Sequence, residues 1–72
     1  MPSSIHITDA VAIILQAAER PLTIYELINE CKPYVGELVS YFEVKQSCLH
    51  LFQSNRVFLE STEPLTFGWV RN

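Results

Sequence analysis

Apolar residues recur with a helical period through the first three quarters of the chain and with a strand period near its end. Val11, Ile14, Leu15 and Ala18 fall at i, i+3, i+4 and i+7, the stripe of an amphipathic helix. Thr8 is placed to cap it, with Asp9 in its first turn, where the helix dipole favours an anion. Pro21 bars the α conformation at Arg20, so the pattern predicts a helix over 9–19. Thr23-Ile24-Tyr25-Glu26 has the form of a capping box, and Leu22 and Leu27 are spaced as its hydrophobic staple. Ile24, Leu27, Ile28 and Cys31 continue that stripe until Pro33, which predicts a helix over 23–32. Ser40-Tyr41-Phe42-Glu43 repeats the signature, with Val39 and Val44 as the staple. Tyr41, Val44, Cys48, Leu51 and Phe52 then line one side of a helix over 40–53.

Beyond residue 55 the period changes. Arg56-Val57-Phe58-Leu59-Glu60 and Thr66-Phe67-Gly68-Trp69-Val70 are rich in strand formers, and Ser61-Thr62-Glu63-Pro64 supplies turn residues between them. Two strands at 56–60 and 66–71 would pair antiparallel through so short a loop. The expected class is therefore α+β: a winged helix-turn-helix of three helices followed by a two-stranded β-hairpin wing. A three-helix bundle with an irregular tail would leave Phe58, Phe67 and Trp69 without a place to pack. Residues 1–72 read as a single domain, with 1–7 as a flexible N-terminal segment.

Composition sharpens this picture. Of the 72 residues, 49% are apolar and only 18% are charged. A chain this short buries about 60% of its unfolded surface. So apolar a composition implies either an unusually rich core or surface shared with a partner; on the second reading a homodimer is expected. The net charge is −3 and the five basic residues, Arg20, Lys32, Lys45, Arg56 and Arg71, are scattered, which argues against strong phosphate-driven binding by a monomer. The apolar run at residues 10–15 is too short for an export signal or a membrane span. A reducing compartment follows, the cytoplasm or, in a eukaryote, the nucleus, with Cys31 and Cys48 as buried free thiols.

The order Asp9-Ala10, Ile14-Leu15, Arg20-Pro21-Leu22, Glu26-Leu27, then Phe58 and Thr66-Phe67-Gly68-Trp69, resembles the HARE-type winged-helix domain, as in the RNA polymerase delta subunit. That resemblance implies a DNA- or polymerase-associated role. The chain departs from the family in having no extended acidic tail and no second domain. Pro64 and Trp69 also resemble the wing of the left-handed-DNA-binding winged helix. There, however, the recognition helix carries an Asn and a Tyr where this chain has Gln46 and His50.

Two sets of candidate residues emerge. For duplex DNA, Lys45, Gln46, Ser47, His50 and Gln53 of the third helix would enter the major groove, while Arg56 and Arg71, brought together at the hairpin base, would hold the backbone. Glu43 on the same helix face opposes phosphate. For a protein partner, Phe42 and Leu49 share a flank of that helix, and Tyr34 and Trp69 add aromatic anchors. The first reading is a small DNA-binding or transcription-associated protein that reads duplex DNA with helix 40–53 and the 56–71 hairpin; the alternative is a non-catalytic module docking on polymerase or another regulator. Cys31, Cys48, His6 and His50 lack metal-site spacing. No nucleophile stands beside a base and no glycine-rich phosphate loop is present, so neither an enzyme nor a cofactor is expected.

Overall fold

The computed structural model describes residues 6–71; residues 1–5 and 72 lie outside the described part, and with them most of the segment 1–7 expected to be flexible. The elements run α1 (Ile7–Ala17), β1 (Leu22–Thr23), α2 (Ile24–Val35), α3 (Tyr41–Gln53), β2 (Val57–Thr62) and β3 (Leu65–Trp69). The class is α+β, with three helices and a three-stranded antiparallel sheet of order β1-β3-β2.

The third strand corrects the expected two-stranded hairpin. Leu22 pairs with Phe67 and Thr23 with Thr66, so the segment between α1 and α2 joins the sheet. Two residues are too few to carry a strand period, and the capping-box signature of the same positions dominates their pattern. Thr23 serves both roles. It ends β1 and caps α2, its hydroxyl accepting from the Glu26 amide at 3.1 Å while Glu26 accepts from the Thr23 amide at 2.8 Å. Arg20 donates twice to the Glu26 carboxylate, at 2.9 and 3.3 Å. The second box closes as expected at Ser40 and Glu43.

Helix boundaries move for identifiable reasons. α1 starts two residues early because His6, not Thr8, is the cap: its Nδ1 accepts from the Thr8 amide. It ends at Ala17 rather than at residue 19, with Ala18 already extended. Arg71 occupies this end, its guanidinium donating to the carbonyl oxygens of Leu15, Gln16 and Ala18 at 3.3, 3.0 and 2.6 Å. α2 runs through Pro33 to Val35. Pro33 is exposed, and Val35 beyond it packs against the core, so burial outweighs the one amide donor the proline removes. Gly36 ends the helix at φ 102°, in the region glycine adopts freely. α3 ends through Asn55 at φ 61°, with the Arg56 amide donating to the Leu51 carbonyl, a left-handed closure of the kind that Asn tolerates.

The core lies between the helices and the inner face of the sheet. Val11 and Leu15 from α1, Ile24 and Leu27 from α2, Val44 and Cys48 from α3 and Phe67 from β3 are fully buried. Phe52 meets Phe67 edge-on at 6.4 Å but is 44% exposed, so it borders the core rather than filling it. The hairpin turns at Glu63-Pro64, across a cis peptide. A bulge between Leu59 and Ser61 leaves Glu60 without a partner on β3. On the outer face Phe58 lies over Gly68, where a Cβ would sit 2.5 Å from the ring tip. No helix among the described residues is long and apolar enough to cross a membrane.

Two outcomes follow. Arg71→Ala should cost about 1 kcal/mol by freeing the carbonyls at the end of α1, and lower Tm by roughly 4–8 °C in a thermal melt. The Arg20 guanidinium and the Thr23 amide hold the Glu26 carboxyl at about 2, below its ordinary 4.5. A depressed carboxyl stabilises the fold above its unfolded pKa and loses that contribution as pH falls. The Tm gap between the wild type and Glu26→Gln should therefore close as pH drops from 4.5 towards 2.

Candidate functional site

The outward side of α3 is where the sequence places most candidates, and its spacing decides which of them share a surface. Phe42, Gln46, Leu49 and Gln53 follow one another at four, three and four residues, so they lie along one face. Phe42 is 66% exposed, Gln46 and Gln53 are exposed, and Leu49 is half-buried. Glu43 and His50, also exposed, lie beside Gln46 on one flank. Lys45 is half-buried on the other flank, one turn from Tyr41, whose ring meets that of Tyr25 at 5.2 Å.

Ser47 does not belong to this face. It is 7% exposed and shares the buried side of α3 with Val44, Cys48 and Leu51. Its Oγ accepts a hydrogen bond from the Thr8 hydroxyl at 3.1 Å, a polar link between α1 and α3. A small hydroxyl can sit inside once it has a partner, and that partner, thirty-nine residues away, is not legible from the local pattern.

The arginines are separated as well. Arg56 is exposed just before β2, and its carbonyl accepts from the Val70 amide at 2.9 Å. Arg71 follows on the opposing strand, but its guanidinium is turned to α1. The expected pair of backbone-gripping arginines is therefore one side chain without a partner among the described residues, Arg56, and one helix cap, Arg71. Arg20 is likewise held by Glu26, across a 2.9 Å salt bridge.

Next to the exposed face lies an open groove of about 750 Å³ between the start of α1, the end of α2 and α3. Its apolar lining is Ile7, Val35, Leu38, Val39 and Phe42, and its polar lining His6, Thr8, Glu43, Gln46, Ser47 and His50. Leu38 is 95% exposed. The sequence signal for it was three apolar residues, Val35, Leu38 and Val39, in a connection that a simple loop would make polar. Tyr34 and Trp69 do not join this surface. Tyr34 lines a separate hollow with Ile13 and Ile14, and Trp69 packs against the core beside Arg71.

Comparison with family models, curated proteins and solved structures finds no match. The chemistry of the face therefore rests on its own residues. It offers two carboxamides, an imidazole, a carboxylate and a large exposed phenyl ring beside an apolar channel.

The two cysteines lie behind this face. Burial pushes the Cys31 thiol up to about 11, with Glu30 adding to the effect, and the Cys48 thiol to about 12, with Cys31 adding. Both are neutral and shielded in the folded chain. The thiol reagent DTNB should label neither at pH 8 under native conditions and both in denaturant. Fast labelling of the folded protein would place one of them at an accessible position.

Proposed function

We propose that the domain is a winged helix-turn-helix used as a protein-docking module. The order α1-β1-α2-α3-β2-β3, with β2 and β3 as a hairpin wing and β1 on the far side of β3, supports that assignment of the fold. The observation that carries the docking role is the exposure of Phe42 and Leu38 beside the groove. Exposed apolar surface of this kind is costly for a monomer and becomes favourable once a partner covers it. An amphipathic helix with two or three apolar anchors suits a groove lined by α3 together with Ile7, Val35 and Val39. The HARE-type resemblance points to a protein of the transcription machinery as that partner.

Electrostatics favour this reading over duplex recognition. Of the five cations, Arg20 and Arg71 are engaged within the fold, and the exposed side of α3 carries Glu43 with no arginine. The DNA reading has one specific support: Gln46, His50 and Gln53 project from the helix that a winged helix inserts into the major groove, with Lys45 and Arg56 at its margins. The DNA reading, first on the sequence alone, is here the second proposal.

A photo-crosslinking residue at position 38, introduced in the native host, should capture a discrete protein. Phe42→Ala should weaken that complex by about thirtyfold, the scale of a lost aromatic anchor, with unchanged circular dichroism because Phe42 is exposed. Capture that is indifferent to Phe42→Ala would refute the groove as the docking site. Duplex binding that weakens steeply with salt and is lost on Gln46→Ala would establish the DNA reading instead.

A further inference from the structure

β2 is an edge strand. Among the described residues, the sheet order β1-β3-β2 leaves one side of Val57–Thr62 without a neighbouring strand. The hydrogen-bond phase along that side can be read from one contact. The Val70 amide donates to the Arg56 carbonyl at 2.9 Å while the Arg56 amide donates to the Leu51 carbonyl, so Arg56 and Val70 form a hydrogen-bonded pair with one of its two bonds made. In an antiparallel ladder such pairs alternate, which makes Phe58 and Gly68 the next one. The backbone groups of Val57 and Leu59 therefore point away from β3, to the open edge.

We propose that this edge pairs with the same edge of a second copy of the chain, antiparallel and centred on Phe58. In that register Val57 stands opposite Leu59 of the copy, and Leu59 opposite Val57. The four strand groups that lack partners on one protomer then meet the four on the other, as hydrogen-bonded pairs. Phe58 faces its own counterpart in a pair without hydrogen bonds, the position where opposed side chains come closest. Phe58 is 39% and Leu59 40% exposed in the single chain; both flanks are covered by pairing.

Charge selects this register. Arg56 falls opposite Glu60 of the copy, and Glu60 opposite Arg56, so the strand is complementary to itself at both ends. Both residues are exposed, and neither has a salt-bridge partner among the described residues. The bulge at Glu60 ends the ladder there, limiting it to one short two-fold segment. The opposite margin of the sheet is the two-residue β1, preceded by Pro21, which has no amide to donate. Growth beyond two copies has no second edge to use, so the assembly closes as a dimer of weak to moderate strength.

This inference is independent of the docking reading. A dimer through Phe42 and Leu49 would cover Gln46 and the groove, whereas the β2 dimer leaves that side of α3 free in both copies. Antiparallel edge pairing also keeps both helical layers on one side of the joined sheet.

Sedimentation equilibrium from micromolar to millimolar loading tests it on the whole chain. The wild type should approach twice its 8.3 kDa mass. Arg56→Glu and Glu60→Arg, each alone, set like charges opposite one another twice per dimer and should weaken association by about tenfold. The double reversal restores opposite charges and should recover affinity to within about threefold of the wild type. Phe42→Glu should leave the dimer intact. A constant mass of 8.3 kDa at millimolar loading overturns the proposal. So does a dimer that survives both single reversals, or one that Phe42→Glu dissolves. The groove reading is untouched by the first two of these results, because its readout is crosslinking at position 38.

Discussion

Thr23 is where the helical half of the molecule is joined to the sheet, with no loop between them. Its backbone pairs with Thr66 on β3, and its hydroxyl caps α2 on the Glu26 amide. Because one residue ends a strand and starts a helix, the direction in which α2 leaves the sheet is set by the ladder rather than by a flexible connection. Leu22, paired with Phe67, is buried under the same junction. Phe67 is the largest fully buried side chain, and it comes from the sheet. Losing the junction would therefore detach the hairpin from the helices and open the core at its widest ring.

A second tie works at the other end of α1. Arg71, fifty-six residues from Leu15, closes carbonyl groups that the helix itself leaves without donors. With Thr23 on one margin of β3 and Arg71 just beyond its end, the strand is held at two points to the helices it covers. A small domain with a thin core benefits from such polar ties, since each restrains chain entropy that its limited buried area can scarcely offset. Cationic side chains enlisted for this work are withdrawn from any electrostatic surface. α3 itself carries a single Lys, Lys45, so little positive charge is left to face a partner there.

The exposed side of α3 and the edge of β2 are consequences of the same small size. With three helices and three strands, every element borders solvent, and besides the hollow of Ile13 and Tyr34 the exposed apolar residues form two surfaces suited to a partner. One is the channel from Ile7 to Phe42. The other is the open strand carrying Phe58 and Leu59. They lie on separate elements, so a partner at one does not compete with a second copy at the other.

The strongest local signals were legible in the residues themselves. Both capping boxes, their staples and the change from a 3.6-residue to a two-residue period placed α2, α3, β2 and β3 to within three residues. Each rests on neighbours in sequence: Thr23 with Glu26, Ser40 with Glu43, Val57 with the alternation around it. The apolar face of α1 was equally readable from Val11, Ile14 and Leu15. What tertiary structure decided were the matters that depend on distant partners. β1 exists because Phe67 and Thr66 lie beside Leu22 and Thr23. α2 continues past Pro33 because Val35, half-buried, packs against the core. Ser47 turns inward because Thr8 meets it, and Arg71 leaves the wing because α1 ends beside it. A periodic pattern records which side of an element is apolar, whereas the fate of a hydroxyl or a guanidinium depends on what the fold brings within hydrogen-bonding distance.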